Sequence, residues 1–495
     1  GFEKFIQGRP YWEVPVVVQR LCGICPVSHH LAAAKAVDQL VGAQALTPTA
    51  EKIRRLMHYG QTLQSHAVHF FHLASPDFLF DFDDPAAHRN VGGVMTDYPD
   101  IARQGVRLRK YGQEVIRVTA GKRIHGTGSV PGGVNKALTL QERNELLADI
   151  DLMIQWGRGV LKLVKQAYQL NPGYFTHFAT IRSNYLGLVR ADGALDLYHG
   201  GLRARNERGE ILFDHLDYRR YSQVLREQVK PWSYMKFPFI NSLGSEQGWY
   251  RVGPLARINN CDFIPTPLAE EERQAFMALG DGQPVHMTLA YHWARMIELL
   301  HATEAIKELL LDPDIFGEER VVHGEMAREG IGVIEAPRGT LFHHYRIDED
   351  GLIEKANLIV STTNNNQAMN ESIRQVAEHY LDGKELTEPL LNQIEVAVRA
   401  YDPCLSCATH ALGRMPLIVE LVEEESGTVM DSLARDADGT VRSEMSSLSR
   451  SGFAGRFLVC SSSPSAISAG ATMRWDRYCW SGWRHCGSSM TIGKT

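Results

Sequence analysis

Apolar residues recur along most of this chain at the three-to-four-residue interval of amphipathic helices. Only short segments alternate at the interval of two that marks a strand. The clearest helix opens at Thr47-Pro48, where Thr suits the N-cap and Pro the first helical position. Ile53, Leu56, Met57, Leu63, Ala67, Phe70 and Phe71 then fall on one broad apolar face, which predicts a helix to about Leu73. Gly60 interrupts that run at some cost to helix propensity. Further helices are predicted over 31–40, 98–118, 139–170, 285–311, 366–381 and 388–400. The 285–311 segment, with Leu289, Trp293, Met296, Ile297 and Leu300, reads as largely buried.

Pro15-Val16-Val17-Val18 reads as loop or strand, 129–134 as a Gly/Pro loop, and 174–265 as short strands between polar turns. Residues 332–335 and 341–347 lead into the turn Asp348-Glu349-Asp350-Gly351, from which 358–360 returns as a β-hairpin. The fold class is mostly α with small β-sheets (α+β), and no repeat of solenoid length is visible.

The chain has 495 residues, enough for several domains or for one large domain around a buried centre. Its 44% hydrophobic and 22% charged residues are ordinary for a globular protein. A net charge of -6 argues against a general nucleic-acid binder. No apolar run reaches the roughly 18 residues of a membrane span. No signal peptide is visible, and the chain opens on Gly1 rather than Met, so its natural start is expected to be missing.

Eight cysteines are too sparse for a secreted disulfide framework, and four of them form two pairs. One pair lies in Arg20-Leu21-Cys22-Gly23-Ile24-Cys25-Pro26-Val27-Ser28-His29. The other lies in Asp402-Pro403-Cys404-Leu405-Ser406-Cys407-Ala408-Thr409-His410. Two such pairs can set four thiolates around one metal centre, which suits zinc, nickel, iron or an iron–sulfur cluster. Zinc ribbons keep their pairs within roughly 15–20 residues, whereas these lie nearly a chain length apart. That separation favours a catalytic metal assembled from distant segments and leaves structural zinc open. Cys261 has no partner in this pattern and reads as a small buried hydrophobe.

Both motifs resemble those of the large subunit of nickel–iron hydrogenases, and the wording around Cys404 is most similar to the cytoplasmic NAD-reducing group. The resemblance runs from Gly1 to about Arg435 and includes Ser129-Val130-Pro131-Gly132-Gly133-Val134-Asn135, Glu335-Ala336-Pro337-Arg338-Gly339-Thr340 and Asn364-Asn365-Asn366-Gln367. It implies the fold of that subunit, a long helix bundle around a buried site, and reversible oxidation of H2 to protons and electrons. It implies that Cys22 and Cys404 are terminal nickel ligands. Cys25 and Cys407 would bridge nickel to an iron carrying carbon monoxide and cyanide.

The same resemblance makes Glu3 a proton acceptor from a thiolate, and Arg338, after Pro337, a positive charge over the open site. Asp402 and Asp77 are then carboxylates near that arginine. His29 is a hydrogen-bond donor to a bridging thiolate, and Ser361 and Thr362 are donors to a cyanide. His410 would bind magnesium or a similar ion. Without the resemblance, Glu3 reads as a solvated residue near a terminus and Arg338 as an ordinary ion-paired one. A subunit of the related quinone reductases is a rival reading, opposed by the complete set of four cysteines.

By resemblance, residues 1–410 form the catalytic domain and 411–440 a maturation peptide cut off after His410 by an endopeptidase. Residues 441–495 lie outside the family pattern and show no helical or strand period beyond about 445. They read either as an out-of-frame translation of a neighbouring gene or as a disordered extension. Four cysteines serve one centre, and no dinucleotide fingerprint is visible. An Fe–S small subunit and separate flavin-containing NAD-reducing subunits are therefore expected, and the resemblance further implies the endopeptidase, nickel chaperones and a cytoplasmic location.

Overall fold

The computed structural model describes residues 2–80, 84, 88–231, 235–380, 386–404, 417–423, 428–435, 440–445, 455–461 and 488–492. The first departure from expectation is at the start. Val14–Val17 is a helical turn that passes into the 3-10 turn Val18–Leu21. Val14 and Val18, four apart, are both fully buried, so helical spacing wins over the strand preference of a valine run.

Helix α1 (Pro26–Leu40) starts five residues before the predicted 31, because Pro26 suits its first turn. In α2 (Pro48–Val68) Thr47 Oγ1 accepts the Ala50 N–H at 3.2 Å, as an N-cap should. Beyond Val68 the predicted helix widens into a π-helical turn, His69–Ala74. Helix α3 (Pro99–Ala120) crosses α2 closely. A Cβ on Gly60 would lie 2.7 Å from Val115 Cγ1, and one on Gly112 would lie 2.7 Å from the Gly60 carbonyl oxygen. The weak helix former at 60 is thus what lets two backbones meet. Thr139 and Glu142 close a capping box at the start of α4 (Leu140–Leu170).

The middle of the chain holds β1 (Asn184–Val189), β2 (Gly201–Arg205), β3 (Ile211–Leu216), β4 (Leu225–Val229), β5 (Lys236–Ile240) and β6 (Tyr250–Arg251). They pair as a sheet of order β3-β2-β1-β6 and a separate hairpin β4-β5. After α5 (Pro254–Asn260), helix α6 (Ala290–Leu311) is buried nearly all round through its first 17 residues. It therefore shows little polar face.

Strands β7 (Glu329–Ala336), β8 (Gly339–Ile347) and β9 (Ile353–Ile359) form an antiparallel meander. It contains the predicted hairpin and adds a tight turn at Pro337-Arg338. Its first strand lies on α1: a Cβ on Gly332 would come 2.0 Å from the Ala32 carbonyl oxygen. This contact fixes the first cysteine pair against the turn that carries Arg338. Helices α7 (Asn366–Tyr380) and α8 (Glu388–Ala400) match their predicted spans closely and lead to the second pair.

Toward the end of the sequence lie β10 (Leu417–Glu423), β11 (Val429–Arg435), β12 (Val441–Met445), β13 (Gly455–Ser461) and β14 (Ser488–Ile492). They form one antiparallel sheet of order β12-β11-β10-β13-β14. The stretch read as lacking strand period thus contributes paired strands at 455–461 and 488–492, the first through Phe457-Leu458-Val459-Cys460, a run of good strand formers. Val419, Leu421 and Leu433 of this sheet are buried. Among the described residues no helix is long and apolar enough to cross a membrane.

Candidate metal centre

Cys22 closes the 3-10 turn and Cys25 is the N-cap residue of α1. The Cys25 N–H donates to Cys22 Sγ at 3.1 Å. Helix α8 then delivers Cys404, whose N–H donates to Thr362 Oγ1 at 3.2 Å. Cys22 Sγ lies 3.0 Å from Cys404 Sγ and 2.9 Å from Cys25 Sγ. All three sulfurs fall within 4.8 Å of one another, although 382 positions separate Cys22 from Cys404. Cys407 and His410 lie outside the described residues.

The donor set fits a soft metal. The adjacent Cys22, with burial, pushes the Cys25 thiol well above its ordinary range, although Cys404 works the other way. Three thiolates this close repel unless a cation lies among them, and a soft divalent ion removes that penalty. By this test alone nickel, iron and zinc all fit.

Arg338 is at the tip of the β7–β8 turn and only 3% exposed. Its Nε donates to the Asp402 carbonyl at 2.6 Å, Nη2 to Asp402 Oδ1 at 2.9 Å, and Nη1 to Ser65 Oγ at 3.3 Å. Burial opposes its charge, but Asp402 and the three cysteines outweigh burial and hold its pKa above the usual value. Burial raises the Asp402 carboxyl, while Arg338 and Arg295 pull it down. Asp402 has a left-handed backbone, φ +54°.

His29 lies one turn into α1, its Nδ1 3.1 Å from His343 Nε2. Burial lowers its pKa to about 4, with Cys22 pulling the other way, so the ring is neutral near pH 7. His343 is therefore the partner of Nδ1, which leaves Nε2 as the ring nitrogen for the thiolate expected of this histidine. His30 is a satisfied core histidine between the Pro15 carbonyl and the Ser129 N–H.

Three expected placements differ. Asp77 does not meet Arg338. It is clamped by Arg399 at 2.8 Å and Arg89 at 3.2 Å, and two guanidiniums hold it there. Arg399 links it to Asp402, since the Arg399 carbonyl accepts the Asp402 N–H at 3.0 Å. Glu3 is about a third exposed; its Oε1 accepts the Leu358 N–H at 2.9 Å and lies 3.6 Å from Lys236 Nζ. Among the described residues those ties run to strand β9 and hairpin β4-β5, not to a thiol. Ser361 Oγ donates to the Gly339 carbonyl at 2.8 Å, so its proton is committed there.

The sequence reading missed what holds the site. Arg257 Nη1 donates to the Ala336 carbonyl at 2.8 Å and Nη2 to the Pro337 carbonyl at 3.1 Å, fixing the turn under Arg338. Glu298 and Glu335, both fully buried, pair with that arginine. His343 and Tyr345 stand two apart on β8, both fully buried, with Tyr345 OH 2.5 Å from His343 Nδ1. Polar residues at alternate positions of an apolar strand were the available signal.

A profile of nickel-dependent hydrogenases matches residues 1–87 and 206–410. The chain belongs to that family. Over 450 residues this hydrogenase chain is 49% identical to the NAD-reducing hydrogenase HoxS subunit beta of Cupriavidus necator, covering 88% of this chain and 92% of that protein. It is 42% identical over 419 residues to the matching subunit of the F420-non-reducing hydrogenase of Methanothermobacter thermautotrophicus, covering 83% and 87%. Among solved structures, an NAD+-reducing nickel–iron hydrogenase in its H2-reduced state matches with a TM-score of 0.81 and 55% identity, over 83% of this chain and 91% of that one. The chain is the catalytic part of a hydrogenase, an oxidoreductase acting on H2, with the large-subunit fold.

Proposed function

We propose that this hydrogenase chain is the H2-splitting subunit of a cytoplasmic NAD-reducing complex. The observation that carries the site assignment is the meeting of three cysteine sulfurs beside the buried Arg338 guanidinium. The NAD linkage rests on the likeness to the NAD-reducing relatives.

Cys22, Cys25, Cys404 and Cys407 would hold a nickel–iron group, Cys22 and Cys404 toward the nickel alone and Cys25 and Cys407 toward both metals, with carbon monoxide and cyanide completing the iron. The nickel–iron group, when bound, supplies the centre for heterolytic cleavage of H2. A cysteine Sγ takes the proton. Arg338, locked to Asp402 and Ser65, presents a fixed positive charge in buried surroundings, where it acts strongly. Pro337 holds the turn that aims it, and His29 stays neutral behind the first cysteine pair. Thr362 ties the second cysteine motif, and Ser361 braces the same corner. Glu3 carries the proton outward, and Asp77 anchors α8 through Arg399. His410 is assigned to a separate magnesium-like ion.

Electrons pass to a small Fe–S partner chain and then to flavin-containing subunits that reduce NAD. Nickel chaperones and an endopeptidase acting after His410 complete the centre. Residues 1–410 are the catalytic domain, 411–440 the maturation peptide, and 441–495 a segment outside the family pattern.

Infrared spectroscopy of the processed, metal-loaded complex tests this reading, since iron-bound carbon monoxide and cyanide give bands in an otherwise empty region. Their absence, with zinc in place of nickel and iron, would overturn it.

A further inference from the structure

Glu3 opens onto an ordered polar track in the β4-β5 hairpin. Lys236 Nζ lies 3.6 Å from Glu3 Oε1 and 3.3 Å from Glu227 Oε2, so one ammonium stands between two carboxylates. It also donates to Asn357 Oδ1 at 3.3 Å. The orientation of that amide is set from outside. Asn357 Nδ2 donates to the Tyr221 hydroxyl oxygen at 3.0 Å, Tyr221 O–H donates to His344 Nδ1 at 3.0 Å, and His344 Nε2–H donates to Glu329 at 2.8 Å. Each group has one role here, because Asn357 Nδ2 can only donate and the Glu329 carboxylate can only accept. The polarity runs one way, from Lys236 to the exposed Glu329. It leaves Asn357 Oδ1 facing the lysine.

Glu227 is the unusual member. Its side chain is only 17% exposed, and its Oε1 is buried without a partner among the described residues. A buried carboxylate oxygen left bare is costly when ionised and less so when protonated. Burial accordingly raises its pKa, with Lys236 and Asn357 opposing the rise.

We propose that Glu227 is the proton acceptor beyond Glu3, reached across Lys236, and that the Asn357–Tyr221–His344 arm is a positioning device for that lysine. The inference rests on the reading of Glu3 as a proton carrier. In the step, the protonated Glu3 gives its proton to Lys236 as Lys236 gives one of its own to Glu227 Oε2. The lysine ends as the same ammonium, Glu3 ends as a carboxylate, and Glu227 ends as a neutral acid that releases its proton to water. The 3.6 Å gap between Lys236 Nζ and Glu3 Oε1 closes to hydrogen-bond length during transfer. No electron moves.

The test uses the nickel-loaded complex with E227Q, E227D, K236M and E3Q. Conversion of para- to ortho-H2 needs only splitting and recombination inside the site, whereas exchange of D2 with water needs a proton to leave. Glu227→Gln and Lys236→Met are expected to slow exchange by about ten-fold or more while retaining conversion and nickel. Glu227→Asp is expected to restore most of the exchange rate. In the metal-free chain, lowering the pH is expected to bring up a protonated-carboxyl stretch in the infrared spectrum that Glu227→Gln lacks, a readout independent of turnover. Wild-type exchange in E227Q alongside blocked exchange in E3Q overturns Glu227 and leaves Glu3 standing. Wild-type exchange in E3Q overturns the Glu3 reading and the ordered track with it. Loss of conversion and exchange together in E227Q, at normal nickel content, also overturns the proposal, since a proton-exit residue spares the first.

Discussion

Arg338 holds Asp402 twice, through the backbone carbonyl at 2.6 Å and through Oδ1 at 2.9 Å. Asp402 stands two residues before Cys404 with a left-handed backbone, so this double contact places the second cysteine motif as well as the charge above it. Arg338→Lys keeps the charge and loses the planar fork, so the charge is no longer held in its position over the site. Nickel content is expected to hold near the wild-type value while H2-dependent dye reduction falls by about 10²-fold. Equal turnover in the lysine variant would show that the fork is unimportant.

Removing a sulfur acts on the metal itself. Cys22→Ser and Cys404→Ser each take one soft donor from a cluster whose sulfurs stand 3.0 Å apart. A serine hydroxyl is a hard, protonated donor near pH 7 and does not replace a thiolate for nickel. Elemental analysis of either purified variant is expected to find nickel near background. Full nickel in both would mean that these residues do not ligate it.

Gly60→Ala sets two rules against each other. Helix propensity alone says alanine stabilises an interior helical site by about 1 kcal/mol. Here the new methyl would stand 2.7 Å from Val115 Cγ1 and 3.1 Å from the Gly112 carbonyl oxygen. Overpacking of that kind costs roughly 1–3 kcal/mol, so the net sign is destabilising. A lower denaturant midpoint is expected, and a higher one would show that α2 and α3 part easily.

Local chemistry in the sequence carried far where it was self-contained. Thr47-Pro48 marked a helix start, the all-apolar 285–311 segment marked the buried helix, and the spacing of Cys22, Cys25 and Cys404 marked the centre. What it could not carry was decided by partners distant in sequence. Val14 and Val18 are helical because of what they pack on. Asp77 goes to Arg399, 322 positions away, and Glu3 to Leu358 and Lys236. Arg257 gave no signal because a lone arginine in a short helix resembles any surface arginine until Glu298 and Glu335 are seen around it.

The buried histidines predict how the fold meets acid. Burial lowers the pKa of His30, His58, His66 and His301 to about 4, against an ordinary 6.5. Between those values the unfolded chain binds more protons than the folded one, so stability falls as pH drops from 6.5 toward 4. Above 6.5 these groups give no pH dependence. Urea midpoints measured on the full chain across pH 4 to 8 are expected to be level at the upper end and to fall steeply below 6.5. A midpoint flat down to pH 4.5 would mean that the rings are solvated.

Tyr345 governs a proton position two rings away. Burial holds its phenol well above and the His343 imidazole well below their usual ranges, so the phenol is protonated and the ring is neutral. A neutral ring has one donor and one acceptor nitrogen. The Tyr345 O–H donates to His343 Nδ1, which leaves His343 Nε2–H to donate to His29 Nδ1. His29 must then carry its own proton on Nε2. Tyr345→Phe removes the first donor, leaves His343 Nδ1 buried without a partner, and costs about 1–3 kcal/mol. It also frees His343 to swap tautomers and His29 to follow. Nitrogen chemical shifts of His29 in the metal-free, histidine-labelled chain are expected to show one Nε2-protonated form in the wild type and a mixture in Tyr345→Phe. An unchanged single tautomer in the variant would mean that His29 is fixed by something other than this chain of rings.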